Sequence, residues 1–314
     1  MTRRVSLRNW ARPALLSLLT VLLIVLTNGC GERPAAPAST AARDSHPPLF
    51  FDETLFFGAV RAAESAPAPE GAVAGGIIPH HWLGGYLITS FFRGLAAGDA
   101  PETVFLIGPN HENAGRARAL TSDLLWATPF GLVEPDAERL RALTDSGLVQ
   151  VESAVLTTEH SVAGIMPAIK YYLPEARVVP IILSGELSPA EARRLGELLA
   201  AQSDRDTVVV AAVDFSHYLV SAEARRRDAV SLEVLRTFDA ATLFTLNNDY
   251  LDSPPSIAVL MAAMAAVRAD QFVLLANTNS GALERDEWAP TTSYIVGYYR
   301  SGAFSGEATG DGTP

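Results

Sequence analysis

Five short runs, Val104–Ile107, Val178–Leu183, Thr207–Val213, Phe272–Ala276 and Tyr294–Tyr298, are almost continuously apolar and rich in β-branched or aromatic residues. A strand with one face in water alternates apolar and polar residues, so runs without alternation predict strands buried on both faces. Such a sheet needs helices on each side, and the intervening segments supply them. Ser188-Pro189-Ala190-Glu191 combines a capping Ser, Pro at the first helical position and Glu three residues after the cap, opening a helix that continues over Ala192–Ala201. A second helix is expected from about Ala222 to Phe238. A third, starting at Pro255 or Ser256, covers Ile257–Val267, whose Ala and Met content suits a helix packed on the sheet. The fold expected is α/β: one three-layer α/β/α domain with a mostly parallel or mixed central sheet.

The ends of the chain read differently. Arg3, Arg4, Arg8 and Arg12 precede the uncharged run Ala14–Leu26, and Cys30, the one cysteine of the chain, follows shortly after. Thirteen apolar or small residues fall short of the ~18 of a spanning helix, so residues 1–29 read as an export signal. The layout resembles a bacterial lipoprotein signal with Cys30 as the acylated residue, although Thr27 and Asn28 stand where that pattern favours Leu and a small residue. The alternative is an uncleaved signal anchor on the same side of the membrane. Residues 30–48, rich in Ala, Pro and Ser, read as a flexible tether that includes His46. The folded domain is expected over 49–304, with 305–314 a disordered polar tail.

Charge narrows the function. The chain carries 24 Lys and Arg against 35 Asp and Glu, a net charge of −11, which argues against nucleic-acid binding. Without the four signal arginines, 20 basic residues face the same 35 acidic ones, giving −15. That surface is repelled by anionic headgroups, so membrane attachment would rest on the lipid at Cys30. A single cysteine also excludes an internal disulfide framework and a Cys-rich metal cluster.

Chemistry concentrates in the histidines. Five of the six lie in short motifs at strand ends or in polar loops: Pro79-His80-His81, Gly108-Pro109-Asn110-His111-Glu112, Thr158-Glu159-His160-Ser161 and Asp214-Phe215-Ser216-His217. In a parallel sheet the loops after the strand ends converge on one crevice. Imidazole is both the commonest transition-metal ligand and the side chain that titrates near neutrality, so the cluster could hold a metal or shuttle protons. Gly75-Gly76 and Gly84-Gly85 match no phosphate-binding fingerprint and are read as tight turns near the site. Ser161 and Ser216 lack a Gly-x-Ser-x-Gly elbow, which argues against a serine hydrolase.

These motifs, with Pro255-Ser256-Ile257 and Ser293-Tyr294-Ile295-Val296-Gly297, come in the order and spacing of the Memo family. Its members, also called AmmeMemoRadiSam system protein B, are similar in structure to class III extradiol dioxygenases. The resemblance covers roughly residues 72 to 300 and implies a non-haem metal site with three protein ligands. Two are histidines that fall on His80 and His111. The third, a cysteine in eukaryotic Memo proteins, falls on Asp252, with Asp249 as the fallback carboxylate. Two His and one carboxylate form the facial triad of Fe(II) enzymes. The alternative is that Asp252 or Ser253 simply caps the helix.

His217 is read as an acid/base group, with Asp214 placed to orient it or to hydrogen-bond a metal ligand, which the resemblance supports, and His160 as a pocket residue with Glu159 as its candidate partner. His81 stands where the family has a small residue and carries less weight. The cofactor implied is a divalent metal, Fe(II) first, with copper, zinc or manganese as alternatives. The ligand or substrate would be a small molecule in the metal crevice. Three readings stay open: a Memo-like, exported, lipid-anchored metal-binding protein with a redox or oxygen-dependent role, an extradiol-type dioxygenase cleaving a dihydroxy-aromatic, and a metal-free binding module. The family's associated proteins, an AMMECR1-type protein and a radical SAM protein, are discounted for an exported chain.

Overall fold

The computed structural model describes residues 44–300. The signal over 1–29, Cys30, the first part of the tether and the tail over 305–314 lie outside the described residues.

At the centre is a mixed sheet. Gly75–Ile78, Thr207–Ala212, Thr103–Pro109 and Arg177–Leu183 are adjacent in that order and parallel. Antiparallel strands flank this block: Thr291–Arg300 pairs with Gly75–Ile78 on one side, and Ala119–Thr121 with Arg177–Leu183 on the other. Gln271–Asn279 pairs outside Thr291–Arg300, and the short strand His217–Leu219 pairs with the start of Thr291–Arg300.

Both faces of the parallel block are dry, as the continuous apolar runs require. Successive residues of one strand enter different cores. Phe105, Ile107, Val209 and Ile77 join one apolar cluster, with residues of helices Pro189–Ala201, Ser221–Thr237 and Pro254–Ala266. Leu106, Val104, Val210 and Ile78 join the other, with residues of helices Glu53–Ala63, Gly85–Ala97 and Met166–Tyr172. Each fully buried aliphatic side chain contributes roughly 1.5–3 kcal/mol, so the two cores set the three-layer α/β/α order.

Local signals act as expected at two helices. Ser188 and Glu191 form a reciprocal capping box, with Pro189 at the first helical position. Helix Pro254–Ala266 begins one residue earlier than expected, and its cap is Ser253, whose side chain accepts from the Ser256 N–H. Asp252 is therefore not the cap.

Two expectations need correction. Gly75-Gly76 is not a turn but part of a central strand: a Cβ on Gly76 would lie 2.2 Å from the Phe91 ring, so helix Gly85–Ala97 packs where a side chain would stand. Gly84 closes a 3-10 turn and Gly85 starts that helix. The ordered fold also begins before Leu49. Ser45–His46 pairs in parallel with Leu125–Trp126. His46, read as part of the tether, is buried between Ser122 Oγ (2.6 Å) and Thr157 Oγ1 (2.8 Å).

Candidate metal centre

The parallel strands end at a common edge, and the loops leaving them carry the histidines. His80 follows Gly75–Ile78, His111 follows Thr103–Pro109, and Asp214 follows Thr207–Ala212. Asp252 reaches the same place from the turn before helix Pro254–Ala266. That turn is stitched to the Asp214 loop, because the Asp252 N–H donates to the Asp214 carbonyl at 3.1 Å and Leu251 bridges Phe215.

Hydrogen bonds fix which ring nitrogens are available. His80 Nδ1 is 3.1 Å from the Ala212 carbonyl oxygen. A carbonyl only accepts, so Nδ1 carries the proton and Nε2 presents a lone pair. Burial holds the His80 pKa below its ordinary value and keeps the ring neutral. His111 Nδ1 donates to Glu159 Oε1 at 2.9 Å, while the His111 backbone N–H donates to Glu159 Oε2 at 2.9 Å. Burial pushes the Glu159 pKa up, but hydrogen bonds from His111 and the Ser161 N–H outweigh it and bring the pKa down to about 2. Glu159 is thus an anion that orients the His111 ring. Its principal partner is His111, not His160, whose Nδ1 lies at 3.5 Å.

The two freed nitrogens meet one carboxylate oxygen. Asp252 Oδ2 is 3.4 Å from His80 Nε2 and 3.9 Å from His111 Nε2, and it accepts only a long bond from the Asp214 N–H at 3.3 Å. Asp252 Oδ1 is buried and has no hydrogen-bond partner among the described residues. Burial, then the charges of Asp214 and Glu159, push the Asp252 pKa well up. Lone pairs on two imidazoles and a buried carboxylate facing each other repel unless a proton or a metal cation lies among them. The donor set therefore fits a metal ion. More broadly, His80, His111 and His160 each offer an atom within 4.8 Å of the others, as do His80, Asp214 and Asp252. Asp249, the fallback carboxylate, belongs to neither group.

The remaining residues line the approach. A crevice of about 560 Å³ is bounded by His80, His111, His160, His217 and Asp214, with Phe50, Trp82 and Tyr218 as aromatic walls. The His160 ring stacks on that of His111, centroids 4.3 Å apart and planes 18° from parallel, and its pKa falls to about 4 through burial and the neighbouring His80 and His111. His217 opens the short strand His217–Leu219. Its Nδ1 is buried without a hydrogen-bond partner among the described residues, and burial lowers its pKa. Asp214 Oδ1 accepts the His80 N–H at 3.1 Å, and Oδ2 lies 3.6 Å from His80 Nε2. Asp214 thus braces His80 more directly than His217. The helix at Ser221 has no side-chain cap, so Asp214 is not spent there. His81 also borders the crevice, with Nδ1 2.9 Å from the Tyr294 hydroxyl.

Sequence reasoning singled out five crevice histidines and both aspartates but missed the aromatic walls and Tyr294. Phe50 sits in the segment read as the start of the domain and Trp82 beside the histidine pair, yet neither carries a pattern that separates a wall from core.

Fold and site together define an α/β protein whose sheet edge bears a His/Asp cluster that could hold a metal ion. A family model described as "Memo-like protein" matches residues 58–299, and the chain belongs to that family. It is similar to a MEMO1 family protein of Methanopyrus kandleri, 31% identical over 234 residues covering 71% of this chain and 81% of that protein. It is also similar to a MEMO1 family protein of Pyrobaculum aerophilum, 29% identical over 225 residues, 68% and 79% of the two chains. The fold is shared with an uncharacterized protein of Escherichia coli K12 known from its crystal structure, with a TM-score of 0.50 at 12% identity, covering 71% of this chain and 99% of that one.

Proposed function

We propose that this Memo-like protein holds one divalent metal at His80, His111 and Asp252, with Fe(II) the first choice and a redox or oxygen-dependent role. The observation that carries the reading is the buried Asp252 carboxylate, one oxygen without a hydrogen-bond partner among the described residues and the other facing the Nε2 atoms of His80 and His111. Two imidazoles and one carboxylate leave open positions on the metal, which would supply Lewis-acid and redox chemistry. Glu159 orients His111, Asp214 braces His80, and His217 is the acid/base group of the crevice. A second reading, an extradiol-type dioxygenase acting on a dihydroxy-aromatic, is favoured by a carboxylate rather than a thiol at position 252 and by the aromatic walls at Phe50, Trp82 and Tyr218.

The arginines at 3, 4, 8 and 12, the run Ala14–Leu26 and Cys30 support export and lipid anchoring at the cell envelope. Metal analysis of the full chain, purified anaerobically in detergent, tests the metal reading. Near-stoichiometric iron that is lost in His80→Ala and in Asp252→Ala supports it; metal fully retained in Asp252→Ala sinks that ligand. Oxygen uptake with a catechol panel separates the dioxygenase from a protein without turnover. Cys30→Ser should abolish incorporation of labelled palmitate, and labelling that persists would refute the anchor.

A further inference from the structure

His81 borders the crevice but belongs to neither group of converging metal donors. Its Nδ1 lies 2.9 Å from the hydroxyl of Tyr294, a side chain buried in the second core at the start of Thr291–Arg300. Burial pushes the Tyr294 pKa up, then the charge of Asp214 adds to it, so the phenol keeps its proton. His81 Nδ1 is the one hydrogen-bond partner of the Tyr294 hydroxyl among the described residues, so the phenol proton is directed at Nδ1. With Nδ1 accepting, the ring N–H that remains is the one on Nε2. That N–H is left to the crevice.

We propose that His81 is a specificity-determining residue: it presents a fixed Nε2–H to an oxygen acceptor on a planar aromatic acid seated between the aromatic walls Phe50, Trp82 and Tyr218. The ring surfaces supply stacking area, and the donor selects for the oxygen. A two-ring acid fits within about 560 Å³. The Tyr294 hydroxyl acts through His81 as a positioning group, fixing both its orientation and its tautomer. The proposal deepens the reading of the crevice as a ligand site beside a metal, but the donor does not itself require the metal.

The probe is 2-naphthoate, titrated by its own fluorescence into the metal-loaded full chain and again into the metal-stripped one, with 2-methylnaphthalene as the comparator lacking oxygen. His81→Phe, which keeps a ring of similar size without the donor, should weaken 2-naphthoate about tenfold or more. Its binding of 2-methylnaphthalene and its metal content should not change. His81→Gln, which restores an amide donor, should recover part of the loss, and Tyr294→Phe should lose a smaller share with the fold intact. Equal 2-naphthoate affinity in wild type and His81→Phe would overturn the proposal, as would no binding to wild type. Naphthoate binding that depends on His81 in a chain that holds no metal would leave this inference standing while the metal reading fell.

Discussion

The Glu159 carboxylate grips His111 twice, accepting the ring Nδ1–H on one oxygen and the backbone N–H on the other, both at 2.9 Å. A single side chain thereby sets the position, rotation and tautomer of the crevice histidine, and leaves Nε2 as the atom facing Asp252.

Glu159→Gln keeps the size of the side chain and one accepting oxygen but removes the charge and turns an NH2 toward one of the two His111 donors. The expected result is a metal affinity about 10–100-fold weaker, measured by competition with a chromogenic chelator. An unchanged affinity would mean that His111 needs no such support.

Asp252 should show the opposite pull of function and stability. In Asp252→Asn the amide can donate toward His80 Nε2, now 3.4 Å from Oδ2, and the buried charge is gone. Metal binding should be lost, while the metal-free variant should match wild type or exceed it by about 1 kcal/mol in chemical denaturation. A metal-free variant clearly less stable than wild type would mean that accepting the Asp214 N–H outweighs the cost of burying the Asp252 carboxyl.

The site was largely legible because its residues come in short polar motifs set against apolar strands, as in Thr207–Val213 leading to Asp214 and His217. Partnership was not legible: Glu159 is next to His160 in sequence yet holds His111, because a helical turn at His160–Ala163 aims the carboxylate back at the neighbouring loop. The strand Gly75–Ile78 escaped because two glycines read as a turn, whereas tertiary packing of Phe91 over Gly76 decides the matter. His46 escaped because its flanks are Pro, Ser and Ala rich, and the Ser122 and Thr157 hydroxyls that hold it are far away in sequence.

Gly76→Ala should be costly for the same reason. The new methyl would meet the Phe91 ring at 2.2 Å and the Gly297 carbonyl oxygen at 3.2 Å. A loss of about 3 kcal/mol is expected in urea unfolding. Coupled with Phe91→Leu, part of that loss should be recovered in a double-mutant cycle. Strict additivity would place the clash elsewhere.

His46 should make the N-terminal strand acid-sensitive. Burial lowers its pKa from 6.5 to about 4, with Asp123 opposing, while Ser122 and Thr157 supply neutral partners. The folded chain thus binds fewer protons here than the unfolded one, so this stability is full above pH 6.5 and is lost on acidification toward about 4. At one pKa unit per 1.36 kcal/mol the loss reaches about 3 kcal/mol. His46→Gln should flatten this part of the urea-midpoint curve between those pH values, and an unchanged slope would assign it to other groups.

Titration of Co(II) into the metal-free full chain, followed by its visible absorption, tests the centre most directly. Wild type should take up one equivalent with a spectrum of nitrogen and oxygen ligation, and His80→Ala, His111→Ala and Asp252→Ala should each lose it. No saturable uptake by wild type, or uptake that survives Asp252→Ala unchanged, would contradict a metal held by His80, His111 and Asp252.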